Sequence, residues 1–166
     1  MLEIATSRHA KIQPSSLSSL MDSRFLLLHL FATVFMTGVI WIIQILHYPL
    51  LNMVGREHFS AYEAAHTNLI TIVVAPVMLL ELGLTAWIFF APPASVPASL
   101  NWLNAILLAI IWFSTVFLQV PQHSILSNGF DQNAYRFLVN SNWIRTVAWS
   151  ARAVIASVMV WSVMKA

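Results

Sequence analysis

The sequence predicts an all-α integral membrane protein built as an antiparallel bundle of four transmembrane helices. The first reason is composition, because 59% of the 166 residues are hydrophobic and only 8% are charged, whereas about 25% of a soluble domain is charged. The second reason is the presence of four long apolar runs, each close to the ~20 residues that cross a hydrocarbon core. These runs leave no room for a separate soluble domain, so we expect one membrane domain over residues 25–166.

The four spans are expected at about residues 25–48, 69–90, 102–120 and 143–164. The first run is too long for the apolar region of a cleaved signal peptide, so it is expected to remain as a span. Spans two and three are joined by the turn APPASVPASLN, whose prolines prevent the helix from continuing. Residues 1–24 are polar and serine-rich and are expected to be disordered, with Met21 as an alternative start of the chain.

The connection between spans one and two is predicted to contain a short amphipathic helix that lies on the membrane surface. Over residues 55–68, Phe59 and Tyr62 lie near helical spacing and charged residues cluster at the start. Pro49 is expected to end the first helix just after His47.

Charge and cysteine content exclude several classes of function. The net charge is +2, but the eight basic residues are scattered and form no continuous patch, so we expect no nucleic-acid binding. The chain has no cysteine, which excludes disulfides and thiolate metal sites. The expected partners are the lipid bilayer and a lipophilic small molecule, and a homo-oligomer or a membrane-complex partner is left open.

The distribution of basic residues predicts the orientation of the bundle. Four Lys or Arg residues flank the face that carries both termini, and two or three flank the other face. The positive-inside rule therefore favours cytoplasmic termini, and we expect a bacterial inner-membrane location.

Polar side chains are expected to gather on the face opposite the termini. An up-down-up-down bundle brings the end of span one, the start of span two, the end of span three and the start of span four to the same face. The residues concerned are Gln44, His47, His58, Tyr62, Glu63, His66, Gln119, His123, Asn142 and Arg145. The His-rich connection between spans one and two is therefore predicted to roof a polar pocket.

A weak internal repeat favours two equivalent hairpins. A shift of 75 residues superimposes Gln44 on Gln119, Leu51 on Leu126 and Thr71 on Thr146. These identities suggest a tandem duplication of a two-helix unit, of the parallel kind found in membrane proteins.

Three histidines are candidate catalytic groups or metal ligands. Glu63 and His66 form a Glu-x-x-His pair, the spacing at which di-iron bundles direct both ligands inward. The second hairpin has no such pair, so a di-iron carboxylate centre is not expected. The remaining candidate metal set is His47, His66 and His123 with Glu63, because imidazole binds zinc, copper and iron. The alternatives are a metal or haem held by histidine and the absence of any cofactor. His47 alone would also suit an interfacial anchor.

A buried ion pair is predicted near the middle of the membrane. Glu81 lies about a dozen residues into span two and Arg152 about ten into span four, so both reach a similar depth. A charge at that depth is costly unless it is paired or lines a wet cavity. We therefore expect Glu81 and Arg152 to pair directly or through water, in either a structural or a functional role.

Span four carries a polar stripe that should face the bundle. Arg145, Trp149 and Arg152 lie at i, i+4 and i+7, with Asn142 one turn above. Two arginines and a tryptophan that faced lipid would be costly. With Glu81, this stripe is expected to bind an anionic or carbonyl-bearing amphiphile such as a quinone, a polyketide or a lipid headgroup. Gln44, Tyr62 and Gln119 complete the predicted substrate-binding set.

The segment LQVPQHSILSNGFD and the later NSNWIRTVAWSARAV resemble the anthrone-oxygenase-like family of small four-span membrane proteins. The matching positions are Pro121, Asn142, Trp143, Arg145 and Thr146. The resemblance covers mainly residues 120–152 and the four-span layout. It implies oxidation of a hydrophobic phenolic substrate with little cofactor, in which polar residues at the mouth of the bundle act as acid/base groups.

Three functions are compatible with these features. The first is a membrane oxidoreductase or oxygenase-like protein that acts on a lipophilic substrate, with His47, His66 and His123 as ligands or acid/base groups and with Arg145 and Arg152 holding an anionic oxygen. The second is a non-catalytic binding or accessory subunit of a membrane complex. The third is a small proton-coupled transporter, since a mid-membrane Glu–Arg pair also suits a proton relay.

Overall fold

A computed structural model describes residues 14–165 of the chain, with side chains from Met21 to Lys165. These residues contain helices and no strand. The helices are α1 (Pro14–Ile42), α2 (Tyr48–Leu51), α3 (Phe59–Phe90), α4 (Ala98–Ser114), α5 (Val120–Leu126) and α6 (Gln132–Met164), with π-helical turns π1 (Ile43–His47) and π2 (Thr115–Gln119).

Four continuous helical segments are long and apolar enough to cross a membrane, which confirms the predicted four-helix membrane bundle. They are Met21–Leu51, Phe59–Phe90, Ala98–Leu126 and Gln132–Met164, and we refer to them as spans one to four. Each is longer than its predicted apolar core. Span four, for example, has 33 residues and extends about 50 Å, whereas the hydrocarbon core is only about 30 Å thick. The helix ends therefore reach into the headgroup region.

Two details of the connections differ from the prediction. Residues 59–68 do not form a separate surface helix, since they are the first turns of α3. Phe59 and Glu63 are buried one turn apart and continue the inward face of span two. No break therefore separates residues 59–68 from the rest of α3. At the N-terminus, α1 begins at Pro14, so residues 14–24 are helical where disorder was expected, and residues 1–13 lie outside the described part of the chain.

Both prolines expected near the ends of spans one and three lie inside continuous helix. Pro49 follows π1 and Pro121 follows π2, so Pro49 does not end the first helix. A proline in a helix clashes with the carbonyl of the preceding turn, and a π-turn widens that turn by one residue. The bonds Tyr48 N–H to Ile43 O and Val120 N–H to Thr115 O have this wider spacing.

The π-turns also define how the two hairpins correspond. Each hairpin has a π-turn, a proline, a short loop and a long returning helix. The corresponding positions are Pro49 and Pro121, not Gln44 and Gln119 as the predicted register required. Gln44 is the second residue of π1, whereas Gln119 is the last residue of π2.

The bundle packs around α6, which contacts both α1 and α4 extensively. One apolar core lies under the His-rich loop and includes Tyr48, Phe59, Leu126 and Leu138. A second core lies near the opposite face and includes Leu26, Ile88, Val96 and Met159. The cavity described below lies beside the first of these cores.

Candidate functional site

A cavity of about 360 Å³ lies inside the bundle and is lined by residues of all four spans. This volume is at the lower end of the range of small-molecule sites. Its apolar wall includes Met36, Ile40, Ile43, Ile70, Val74 and Met78. Its polar lining residues are Tyr48, His66, Thr67, Thr71, Thr115, His123, Ser124, Ser127, Arg145 and Trp149. The cavity thus combines a wide apolar surface with a few polar groups, as ligand sites do.

His123 and Glu63 form a close pair at the mouth of this cavity. The Nδ1 atom of His123 lies 2.5 Å from Oε1 of Glu63. Glu63 is fully buried, and the His123 side chain is 18% exposed. Because the carboxylate binds Nδ1, it orients the ring and leaves Nε2 as the nitrogen available to a molecule in the cavity. A histidine oriented in this way by a carboxylate is the arrangement of a general base.

The three predicted histidines converge in space. The ring of His66 stacks on that of His47 with centroids 4.0 Å apart and an interplanar angle of 21°. The centroids of His66 and His123 are 5.8 Å apart. Tyr62 stacks on the outer side of His47 at 6.3 Å and is 40% exposed, so it flanks the histidines on the outside of the bundle.

The histidine cluster does not have the geometry of a metal centre. Among the described residues, no group of three or more His, Asp and Glu side chains is arranged to hold a metal ion. Two features account for this: His123 Nδ1 is bonded to Glu63, and the rings of His47 and His66 are stacked face to face. The candidate set of His47, Glu63, His66 and His123 is therefore not arranged to coordinate a metal ion.

Arg145 is a cation in the cavity wall without a carboxylate partner. Its Nε and Nη2 atoms donate to Oδ1 of Asn142 at 2.9 and 2.5 Å, and Nη1 lies 3.4 Å from Thr115 Oγ1. In the part of the chain with described side chains, no Asp or Glu oxygen lies within 4.0 Å of its guanidinium. An uncompensated charge at a partly buried position is costly, and an anionic oxygen placed beside the guanidinium would lower this cost.

Asn142 holds Arg145 in place through a chain of hydrogen bonds. The Nδ2 atom of Asn142 donates to Oε1 of Gln44 at 2.8 Å, and Nε2 of Gln44 donates to the carbonyl of Val139 at 3.3 Å. Tyr48 also interacts with the Arg145 guanidinium. These contacts use neutral acceptors, so they orient the arginine without neutralising it.

The predicted pair of Glu81 and Arg152 is confirmed as a direct ion pair. Arg152 Nη1 lies 2.6 Å from Glu81 Oε1, and both side chains are fully buried. Arg152 also donates to Asn104 Oδ1 and Thr85 Oγ1, each at 3.0 Å. Glu81 accepts 3.0 Å bonds from Thr33 Oγ1 and Trp149 Nε1. The pair is therefore compensated by neighbours from all four spans, and does not line the cavity.

Trp149 links the ion pair to the cavity. One edge of its indole donates to Glu81 Oε2 at 3.0 Å, and the side chain also forms part of the cavity wall. Arg145, Trp149 and Arg152 all point into the bundle, as the spacing on span four predicted.

Other members of the predicted binding set lie outside the cavity. Gln44 and Asn142 do not line it and are linked to it only through Arg145. Tyr62 is on the outer surface of α3. Gln119 donates to Ser141 Oγ at 2.9 Å and is buried away from the cavity. Glu81 and Arg152 lie behind Trp149.

The sequence patterns did not predict several polar residues of the ion-pair network and of the cavity wall. Thr33, Thr85 and Asn104 are partners of the ion pair, and Tyr48 and Thr115 line the cavity beside Arg145. A signal existed for span one, where His29, Thr33 and Thr37 lie at i, i+4 and i+8 on one helical face. No comparable spacing identifies Tyr48 or Thr115.

Fold and site together define a four-span α-helical membrane protein with an internal cavity that carries a His–Glu pair and an unpaired arginine. Comparison of the chain with family models, with curated proteins and with solved structures found no match.

Proposed function

We propose that the protein is a membrane oxidoreductase of the oxygenase type, which binds a lipophilic phenol or ketone in the internal cavity. The observation that carries this proposal is the presence of two complementary groups on one apolar cavity, a His–carboxylate pair and a cation without a carboxylate partner. The first suits proton removal and the second suits the oxygen on which negative charge then develops. The resemblance of residues 120–152 to the anthrone-oxygenase-like family supports the same reaction class.

The acid–base step assigns a role to each group. His123 accepts a proton from the substrate at Nε2, and the Glu63 carboxylate stabilises the resulting imidazolium through Nδ1. Arg145 stabilises the substrate oxygen as it becomes a phenolate or enolate. The apolar wall, including Ile40 and Met78, binds the hydrocarbon body and keeps water away from the charged oxygen.

The oxidation step balances with dioxygen as the only co-reactant. An acidic CH₂ group that is conjugated with a ketone through aromatic rings, as in an anthrone, loses one proton to His123, and the carbanionic carbon of the resulting enolate is then oxidised by O₂. The CH₂ group becomes a carbonyl, one oxygen atom of O₂ enters this carbonyl, and the other leaves as water with both hydrogens. Four electrons pass from carbon to O₂.

A non-catalytic binding subunit is the second candidate, and Arg145 favours it independently. An unpaired cation in an apolar cavity supports binding of an anionic amphiphile even where no proton is transferred. The third candidate, a proton-coupled transporter, requires Glu81 to change its protonation state. The four neighbours that form hydrogen bonds with the Glu81–Arg152 pair favour a fixed structural pair instead.

We propose a bacterial inner membrane as the setting, with both termini in the cytoplasm. The distribution of Lys and Arg favours this orientation. This orientation is tested with two reporter fusions at the C-terminus, one active only in the cytoplasm and the other active only in the periplasm.

The enzymatic proposal is tested by oxygen consumption with the protein in lipid nanodiscs and 1,8-dihydroxyanthrone as probe. We expect oxygen uptake above the rate of empty nanodiscs, with the matching anthraquinone as product. The uptake should be lost in His123→Gln and retained in His58→Gln, because His58 is exposed and pairs only with Glu57. Tight binding of the probe without oxygen uptake would contradict the enzymatic proposal and favour the non-catalytic binding subunit.

A further inference from the structure

A second, outer depression of about 330 Å³ lies on the other side of α3, and we call it the outer groove. It is bordered by Tyr62, Leu69 and Val73 of α3 and by His47 of π1. Leu69 is 66% exposed, so the groove is open to the surroundings of the bundle. Tyr62 and His47 lie at its end nearer the loops, and Leu69 and Val73 lie deeper in the span.

Two residues belong to both the outer groove and the internal cavity. His66 and Ile70 line each of them, so they form the partition between the two spaces. On α1, the same partition is bordered by Ile43, which lines the cavity, and by His47, which lines the groove. The two spaces thus meet at the seam between spans one and two.

The seam is closed by ring stacking and not by a network of hydrogen bonds. His66 stacks on His47 at 4.0 Å, and no hydrogen bond joins the two rings. Stacking of two such rings contributes only about 1 kcal/mol. His47 is also the last residue of π1, and π-turns are local interruptions of the α-helical ladder that occur often at functional sites. At this point the partition between groove and cavity therefore depends on a weak contact between two side chains.

We propose that the outer groove is the binding site at which the lipophilic ligand leaves the bilayer, and that the ligand reaches the internal cavity through the His47–His66 seam. This inference rests on the proposed function, since it takes its ligand from it. The ligand is an amphiphile with an apolar body and one ionisable oxygen.

The chemistry of the groove fits this ligand class. Its deeper part presents aliphatic side chains, Leu69 and Val73, to the hydrocarbon region, and its end near the headgroups presents Tyr62 and His47. A tyrosine at that depth is typical of a residue that holds the polar end of an amphiphile at the membrane interface. A ligand in this orientation has its polar oxygen level with the His66 ring before it passes inward.

The other way into the cavity lies between spans two and three. Thr71 and Ser124 line the cavity and are both exposed. This side presents hydroxyl groups and gives water a route to the His123–Glu63 pair. The two routes can be blocked separately, which makes the proposal testable.

The experiment measures association of 1,8-dihydroxyanthraquinone with the protein in nanodiscs by stopped-flow absorbance. The chain has no cysteine, so in the double variant His47→Cys, His66→Cys a bis-methanethiosulfonate reagent can cross-link the two thiols across the seam, and reductant reverses this link. Ile70→Trp is a second block of the seam, and Ile72→Trp is its matched control, because Ile72 lies on α3, is 71% exposed and lines neither the groove nor the cavity. Ser124→Trp blocks the opposite route.

We expect the cross-link and Ile70→Trp to slow association at least about tenfold, while Ile72→Trp leaves the rate within about twofold and Ser124→Trp slows it less than either seam variant does. Reduction of the cross-link should restore the rate. Unchanged association in both seam variants, or slowing confined to Ser124→Trp, would overturn the access route and leave the cavity as the ligand site. Failure of the unmodified protein to bind the probe would instead overturn the proposed function and the access route with it.

Discussion

The Nδ1 atom of His123 lies 2.5 Å from Oε1 of Glu63, although the two residues are 60 positions apart and belong to different spans. The contact joins spans two and three at the mouth of the cavity. Since Glu63 is fully buried, its carboxylate is shielded from water and its interaction with His123 is strengthened. This pair is the group most suited to proton transfer in the described part of the molecule.

The coupling of Glu63 and His123 predicts non-additive effects on oxygen uptake. His123→Gln should lower the rate about 10²- to 10⁴-fold, the usual contribution of a general base. Glu63→Gln keeps a hydrogen-bonding group but removes the charge, so it should lower the rate less. The double variant should be no slower than His123→Gln alone, since the two residues act as a unit. This coupling would be contradicted if, in a steady-state assay, the double variant lost activity by the product of the two single-variant factors.

The ion pair between Glu81 and Arg152 should behave as a structural element. Arg152→Met alone leaves a buried carboxylate unpaired and is expected to destabilise the bundle by about 3–5 kcal/mol. The double variant Glu81→Met, Arg152→Met removes both charges and should recover most of this loss. Thermal unfolding in detergent measures both effects. If instead the double variant is as unstable as the sum of the single variants, the pair does not act as a coupled unit.

Trp149→Phe separates the two roles of this tryptophan. Phenylalanine keeps an aromatic surface in the cavity wall but cannot donate to Glu81 Oε2, so stability should fall by about 1–3 kcal/mol. Binding of 1,8-dihydroxyanthraquinone, followed by absorbance titration, should change little. The matched control is Trp161→Phe, because Trp161 is 57% exposed and does not line the cavity. A large loss of binding with unchanged stability would show instead that Trp149 contributes to ligand binding and not to the stability of the bundle.

The bundle and its mid-membrane ion pair were predictable because both depend on distance along a helix. Apolar runs of sufficient length define the spans, and counting at 1.5 Å per residue brings Glu81 and Arg152 to a common depth. The inward direction of Trp149 follows equally from helical spacing. These properties are set within single helices and their antiparallel order.

The His123–Glu63 pair was not predictable in the same way. Spacing along α3 associates Glu63 with His66, whereas the contact is made with His123 on α5. Which side chains meet across two helices depends on how each helix is rotated about its axis, and counting does not fix this rotation. The π-turns change it further, because each adds a residue to one turn. Gln119, the last residue of π2, consequently faces Ser141 and not the cavity.

Arg145 provides the most direct test of the account. The measurement is equilibrium titration of the protein in nanodiscs with 1,8-dihydroxyanthraquinone, monitored by the absorbance change that accompanies phenolate formation. Arg145→Gln should weaken binding about tenfold to a hundredfold and diminish the phenolate signal, because a hydrogen bond to a charged group contributes about 1.5–3 kcal/mol. Arg136→Gln, on an exposed position of α6, is the control. Equal affinity and an equal phenolate signal in the unmodified protein and in Arg145→Gln would contradict the central claim that this cavity binds an anionic oxygen.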